Sequence, residues 1–384
     1  MKQGWKTSTL GDVLDVLRNG LNCKQDKRGK GERISRIESI SEAIFDLKRV
    51  GYAQLTEREK ERYRLMQGDI LFSHINSVIH VGKTALFDGV EPVYHGVNLL
   101  LMRPKESLTS AYLQYALMYL FSSGYWRGVC KQSVNQASVN QQDISRVEIC
   151  FPEALPEQQR IAALLDEAFA CLATAKATAE QNLQNARALF ESHLQAVFCQ
   201  RGEGWVETTL DKISTNLDSR RVPITKNLRS SGEYPYYGAS GIVDYVADYI
   251  FEGDNLLVSE DGANLLARTT PVAFSVTGRY WVNNHAHILH FDRMATQRFV
   301  EFYLESIKLD EFITGAAQPK LNQRALNAIP IPIPESVEEQ AKIVNGVKAL
   351  QEETRHLTRL YERKLAALEE LKKSLLHQAF NGEL

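Results

Sequence analysis

The sequence predicts an α+β chain: two globular α/β domains separated by two long antiparallel α-helices that form a coiled coil, the whole related by a pseudo-two-fold internal repeat. Three observations carry this. Gly4-Trp5 followed by Thr9-Leu10 recurs as Gly204-Trp205 followed by Thr209-Leu210, a shift of 200 residues. Val139-Asn140-Gln141 recurs as Leu321-Asn322-Gln323 at a shift of 182, and that shift continues through Pro152/Pro334, Gln158/Gln340 and Ile161/Ile343 to Phe198/Phe380. After each recurrence the chain turns into a long run with apolar residues spaced by three and four. A repeat of this size is too large for a stacked solenoid unit and reads as a duplicated module.

The boundaries follow: residues 1–152 as the first globular domain, 153–203 as the central helix, 204–334 as the second globular domain and 335–384 as the C-terminal helix. In the first domain, Gly68 to Ser73 reads as a turn feeding a buried strand, followed by loops at 74–77 and 82–84. Residues 110–121 read as a helix, and 131–142 as a polar loop dense in Asn, Gln and Ser. From Pro156 glycine vanishes until Gly202. Ile161, Leu165, Ala168, Leu172, Ala175 and Ala179 form a heptad-like stripe. In the second domain, 234–242 reads as an aromatic, glycine-rich loop, 256–259 as a strand, 282–289 as one strand with polar ends, and 298–309 as a helix. Ile343, Val347, Leu350, Leu357, Tyr361, Leu365 and Leu368 then repeat the stripe. Each helix holds roughly 40–45 residues, on the order of 60–65 Å at 1.5 Å per residue. A helix of that length cannot bury its stripe alone, and two copies related by a pseudo-two-fold must pack antiparallel. Phe198 leads into the second Gly-Trp opening, and Phe380 stands where a third would follow. The repeat runs as if the chain were nearly circular, which predicts neighbouring termini and tolerance of circular permutation.

The formal net charge of −2 hides segregation. Residues 1–150 hold 21 Lys and Arg against 16 Asp and Glu, whereas 204–334 hold 12 against 15. A basic face suited to phosphates is therefore available on the first domain only, and a DNA-binding chain of this kind needs a partner for much of the phosphate contact. No stretch approaches the roughly 20 apolar residues of a membrane span. The five cysteines are an odd number, widely spaced, without metal or redox pairing, as expected of reduced thiols in a cytoplasm.

No catalytic constellation emerges. Gly82-Lys83-Thr84 resembles the tail of a phosphate-binding loop, but Ser77 stands where that loop needs Gly, so Lys83 reads as a loop lysine meeting DNA phosphate or solvent. His285 and His287 on one strand face offer two metal ligands, but no Cys or carboxylate cluster completes a site beside them or His290. Glu260 and Asp261 have the chemistry of acid–base residues without a marked nucleophile. The Asn-Pro-Pro-aromatic loop of adenine methyltransferases is missing. What stands out is amide, hydroxyl and cationic content on loops, the chemistry that reads base edges and phosphates. The candidate DNA contacts are Lys24, Lys27, Arg28, Ser73, Asn76, Ser77, Lys83, Lys131 and Gln132 in the first domain. In the second they are Arg220, Arg221, Tyr237, Ser240, Asp261, Asn264, Arg268, Asn284, His285, Gln318 and Lys320. The stretch from Lys24 to Arg33 reads more readily as a solvated loop than as a phosphate clamp. Asn140/Asn322 and Gln141/Gln323 recur in both halves and read as turn or cap residues.

At this point the chain resembles the specificity subunits of type I restriction–modification systems. The matching residues are the two Gly-Trp-(x)3-Thr-Leu openings, Pro156-Glu157-Gln158-Gln159-Arg160-Ile161 with its copy Glu338 to Ile343, and Gln378 to Leu384. Pro235 to Gly241, Glu260 to Asn264 and Leu65 to Ser73 also resemble target-recognition-domain motifs of that family. The resemblance covers essentially the whole chain. It implies two target recognition domains, each reading one half of a split, asymmetric site in double-stranded DNA, and helices that set the gap. It implies no catalysis and no cofactor in this chain. Two modification subunits would supply S-adenosylmethionine-dependent methylation, and restriction subunits would supply ATP- and Mg-dependent translocation and cleavage. Two other readings are a stand-alone DNA-binding or structural protein of the same modules, and a methyltransferase in its own right, against which the missing loops argue.

Overall fold

Each module closes on itself through its first and last strands. In a computed structural model describing residues 3–26, 28–40, 44–89, 91–134, 136–315 and 318–384, strand Trp5–Thr9 pairs antiparallel with Glu148–Pro152, setting Trp5 opposite Pro152. Trp205–Thr209 pairs with Pro330–Pro334 in the same way, Trp205 opposite Pro334. The three prolines of that last strand are tolerated because the sheet has two strands only, so both are edges. The repeated Asn residues are helix caps, as the repeat implies. Asn140 Oδ1 accepts the Asp143 N–H at 2.8 Å, and Asn322 Oδ1 accepts the Ala325 N–H at 2.9 Å.

The central sheets repeat strand for strand. In the first module the order is Leu14–Asn19, Leu100–Pro104, Ile70–Phe72, Thr84–Leu86; in the second it is Thr215–Asn216, Ala286–His290, Asn255–Ser259, Ala273–Val276. All neighbours are antiparallel. A 13-residue helix packs on each, Ser110–Ser122 in the first module and Met294–Ser306 in the second. Extra length differs in kind. The first module adds a small ladder of Glu32–Ile34 with Gly51–Ala53. The second adds a hairpin of Ser231–Gly238 and Gly241–Val246, with Tyr236 parallel to Trp281.

Three local expectations change. The aromatic stretch at 234–242 is this hairpin rather than a loop, because alternating Tyr side chains suit a pleated strand and Ala239-Ser240 make a two-residue turn, with Gly241 at φ +123° starting the return strand. The stretch 282–289 is two strands, Arg279–Val282 and Ala286–His290, split where Asn283 Oδ1 takes the His285 N–H at 2.7 Å. The polar run after Lys131 is a hairpin, Lys131–Ser133 against Gln136–Ser138.

The long helices run Leu155–Cys199 and Val337–Asn381, 45 residues each. Gly382, at φ +75°, follows the second. The chain divides into two compact units, Met1–Ala179 with Arg363–Leu384, and Glu180–Glu362. These cut both helices, whereas the boundaries read from sequence follow secondary structure. In unit 1 Ile161, Leu165, Leu376 and Ala379 share a core with Trp5, Tyr112 and Phe151. Lys372 lies over the Phe169 ring and Lys176 pairs with Glu369, so the helices run antiparallel there. The Phe380 ring meets Tyr112 at 5.3 Å, and Tyr112 meets Trp5 at 6.5 Å. Unit 2 repeats the seal: Phe198 meets Phe299 at 5.2 Å, and Trp205 meets Phe299 at 5.6 Å. Leu194, Val344 and Val347 join that core, and Arg187 pairs with Glu362, again antiparallel.

The repeated glutamine at each helix start is a buried clasp. Gln158 Nε2 donates to Pro152 O at 2.8 Å while its Oε1 accepts the Thr109 N–H. Gln340 Nε2 donates to Pro334 O at 2.8 Å while its Oε1 accepts from the Thr296 hydroxyl. A single side chain thus ties the long helix to the last strand and to the short helix of its module.

Candidate nucleic-acid interface

Comparable loops emerge past the Ile70–Phe72 strand of unit 1 and the Asn255–Ser259 strand of unit 2. In unit 1 the chain leaves its buried strand through Ser73 and His74 into the short strand Ile75–Asn76. That strand pairs with Gln136–Ser138, which pairs with Lys131–Ser133. Lys131 and Gln132 are exposed on the outer strand. In unit 2 the corresponding path is Ser259, Glu260, Asp261. The Val139 N–H bonds His74 O, and the Leu321 N–H bonds Glu260 O, so the two loops are in register. Gln318 and Lys320 occupy the hairpin's place and are exposed.

Several predicted contact residues are taken up inside the fold. Ser73 is buried, its N–H bonding Lys83 O and its hydroxyl accepting from Asn76 Nδ2. Asn76 Oδ1 takes the Ser77 N–H. Gly82 donates to Ser73 O at φ +91°, and a Cβ there would strike the Trp126 ring. Gly82-Lys83-Thr84 is therefore a tight strand connection, with Lys83 half-buried in it, and leads into a strand rather than a helix. Arg268 donates to Leu304 O and Ile307 O, and burial lowers its pKa. Asn264 Oδ1 accepts from Thr269 and Thr270 and its Nδ2 donates to Thr270 O, closing a turn. Tyr237 packs on Phe274 and Tyr280, and burial, with Tyr245 beside it, pushes its phenol up.

Among the described residues the remaining candidates other than Arg221 are accessible. Lys24 and Arg28 are exposed in the segment after Asn19, and the Arg28 N–H bonds Asp26. Lys27 lies outside the described residues. Arg220 is exposed with its guanidinium over the Phe251 ring at 5.3 Å. Ser240 and Asn284 sit exposed in turns. His285 is half exposed and its Nδ1 lies 2.8 Å from Asp261 Oδ2, which orients the imidazole. Asp261 bridges Lys320 through the backbone, and the Gly262 N–H bonds Pro319 O. Asp261, His285, Gln318 and Lys320 thus form one cluster in unit 2. Lys131 and Gln132 form its counterpart in unit 1.

The histidines do not share a face. His285 is in a turn, His287 is buried, and His290 Nδ1 meets Asn255 Oδ1 at 3.1 Å. Among the described residues Asp218, Glu260 and His287 bring potential metal-ligand atoms within 4.8 Å of one another. Arg221 already stands there, 2.6 Å from Glu260 and 3.4 Å from Asp218, and Lys320 Nζ lies 3.2 Å from Glu260. Two side-chain cations neutralise the carboxylates, so the chemistry is that of an ion network rather than a metal cage. Burial pushes both carboxyls up, but His287, the Ile288 N–H and Arg221 hold Asp218 below its ordinary value. Arg221, His287 and Lys320 do the same for Glu260. Arg221, predicted as a contact, is a member of this network, with its side chain 14% exposed and a further bond to Ala286 O.

Sequence reasoning missed that network, because Asp218, Glu260 and His287 lie on three strands or loops with no common spacing. It also missed exposed Ile242, Val243 and Tyr245 on the second-module hairpin. The alternation of aromatic and glycine residues there was the available signal.

Comparison with known proteins agrees with the duplication. The sequence pattern of the type I restriction modification DNA specificity domain matches residues 2–185 and again 202–369. The chain is 28% identical over 405 residues to a putative type I restriction enzyme specificity subunit of Methanocaldococcus jannaschii, covering 100% of this chain and 94% of that protein. It is 29% identical over 202 residues to the EcoKI specificity subunit of Escherichia coli, 52% of this chain and 43% of that one. In fold it is similar to a chain of a solved type I R-M system, with a TM-score of 0.75 at 16% identity over 100% of this chain and 99% of the other. The HsdS subunit of Thermoanaerobacter tengcongensis gives 0.63 at 16% identity, over 100% and 98%. The chain belongs to the family of type I restriction–modification DNA specificity subunits, the non-catalytic components of those systems.

Proposed function

We propose that each module reads one half of a bipartite, asymmetric site in double-stranded DNA. In this reading the two long helices set the gap between half-sites and dock two modification subunits. The observation that carries it is a repeated frame with unlike exposed side chains. Sheet order, closing strands, Asn caps and Gln clasps are common to both units. At matching loops one unit offers Lys131 and Gln132, the other Lys320, Gln318 and His285. One docking geometry with two sets of base-edge chemistry reads two different half-sites. Residues 1–150 carry the excess of basic residues, so partners supply phosphate contact for the second half.

S-adenosylmethionine, ATP and Mg belong to the modification and restriction subunits in this scheme, and the assembly works in the cytoplasm. Among the described residues no helix is long and apolar enough to cross a membrane. The test is to map N6-methyladenine genome-wide in the source strain with and without this gene. Loss of methylation at one split, asymmetric motif on deletion is expected. An unchanged methylome in a strain whose modification subunits are expressed would sink the reading.

A further inference from the structure

The contact segment of unit 2 is held differently from its counterpart in unit 1. In unit 1, Ile75–Asn76, Gln136–Ser138 and Lys131–Ser133 form a continuous three-stranded ladder. In unit 2 the strand pairing found among the described residues is reduced to isolated bridges, Asp261 with Lys320 and Thr314 with Lys320. Two isolated bridges fix a backbone poorly, since each restrains its neighbours little.

A charged network takes over. His287 is 1% exposed, with Nδ1 at 2.5 Å from Asp218 Oδ2 and Nε2 at 2.7 Å from Leu321 O. Both partners are acceptors, so the imidazole satisfies both only by donating from both nitrogens, as the cation. Asp218 Oδ1 accepts the Ile288 N–H. Arg221 spans Glu260, Asp218 and Ala286 O, and Lys320 reaches Glu260. The groups facing His287 are therefore Asp218 and Glu260, with Arg221 and Lys320 behind them. Strand register puts Asn19, His74 and Leu100 of unit 1 where unit 2 has Asp218, Glu260 and His287. No carboxylate stands at those three places in unit 1. Burial drives the His74 pKa down to about 4, which keeps that imidazole neutral.

We propose that His287, through Asp218, Glu260 and Arg221, is a positioning residue for the Gln318–Leu321 contact segment, so that half-site reading by the second module, and not by the first, requires this buried cation. The inference rests on the two-module reading above. The segment is tied at Leu321 N to Glu260 O, at Leu321 O to His287, at Lys320 Nζ to Glu260, and at Pro319 O to Gly262 N. Loss of the cation frees the Leu321 carbonyl and leaves Asp218 without its nearest charge, so the segment swings on its two bridges.

The test uses His287→Gln and Glu260→Gln in the full chain, alone and with its modification subunits. Amide exchange in the chain alone should rise by about tenfold or more over 318–321, the loss of one charge-assisted hydrogen bond. Exchange over 131–134 and 136–138 should stay unchanged. In the complex, the apparent KM for methylation of the cognate duplex should rise by about tenfold, with kcat at saturating DNA unchanged. Discrimination against substitutions should fall in the second module's half-site only. A merely structural role would weaken both halves together. Unchanged exchange over 318–321 overturns the proposal, and so does increased exchange with both halves still discriminated. If His287→Gln unfolds unit 2, Glu260→Gln, which leaves the imidazole in place, decides by the same readouts. If the wild-type complex reads no bipartite site, the two-module reading fails and the exchange result alone judges the network.

Discussion

Truncating Phe198 should open unit 2 while leaving unit 1 intact, although the helix that carries it starts in unit 1. Phe198 is 5% exposed and meets Phe299 at 5.2 Å and Tyr303 at 5.4 Å, both edge-on. The same helix is rooted in the other core through Ile161 and Leu165, each 0% exposed. Phe198→Ala removes a buried ring from a core of Leu194, Phe302, Val344 and Val347, at a cost of about 3–5 kcal/mol. The matched change Phe380→Ala removes a half-buried ring that meets Tyr112 and Tyr119, and should cost unit 1 less, about 2–3 kcal/mol. Native-state amide exchange reads the two units separately. For Phe198→Ala, protection of Leu256–Val258 should fall by roughly two to three orders of magnitude, with Ile70–Phe72 unaltered. Equal loss in both units, or loss confined to the residues around 198, would refute the idea that each unit is sealed by the end of a helix begun in the other.

Three further outcomes are expected. Acid should weaken unit 1 before unit 2. Burial lowers the folded pKa of His74 and of His95 to about 4 from an ordinary 6.5, so the unfolded chain binds protons first. Their contribution is present in full above pH 6.5 and fades as pH falls towards 4, about 2 kcal/mol each between pH 7 and pH 5. Exchange in Ile70–Phe72 against pH measures this, and an equal slope in His74→Leu with His95→Leu would contradict it. The depressed carboxyls of Asp218 and Glu260 lose their contribution only below the ordinary carboxylate range. Inserting one heptad into one long helix should lengthen the gap of the methylated motif or abolish assembly; an active enzyme with the original gap would refute the spacing role. Replacing Lys131 and Gln132 by Ala should relax one half of the motif, and replacing Gln318 and Lys320 the other, by about 1–3 kcal/mol per lost base contact. Methylome mapping of each variant would show whether the relaxed halves differ.

Much of the frame was legible because a repeat reports it twice. The Gly-Trp openings, the Asn caps and the Gln clasps recur in the sequence, and the structure uses each pair in the same way. Apolar spacing marked both 45-residue helices, since a period near 3.5 sustained over so many turns fits no other element. The interface was legible only as a pool of polar loop residues. Lys131, Gln132, Gln318, Lys320, His285 and Asn284 are accessible; Ser73, Arg221, Arg268 and Asn264 have the same chemistry and are spent inside the fold. An Arg that reads guanine and an Arg that holds two carbonyls look alike in sequence.

Sequence alone thus determined the duplication and the long helices, because these depend on local periodicity and on residues that recur at a fixed offset. Tertiary structure alone decided which polar groups remain free, where the compact units divide, and that a buried His287 paired with Asp218 stands where Leu100 stands in the first module. Those outcomes turn on burial and on bonds between strands distant in the chain. Asp218 and His287 are 69 residues apart, and no local pattern records that separation.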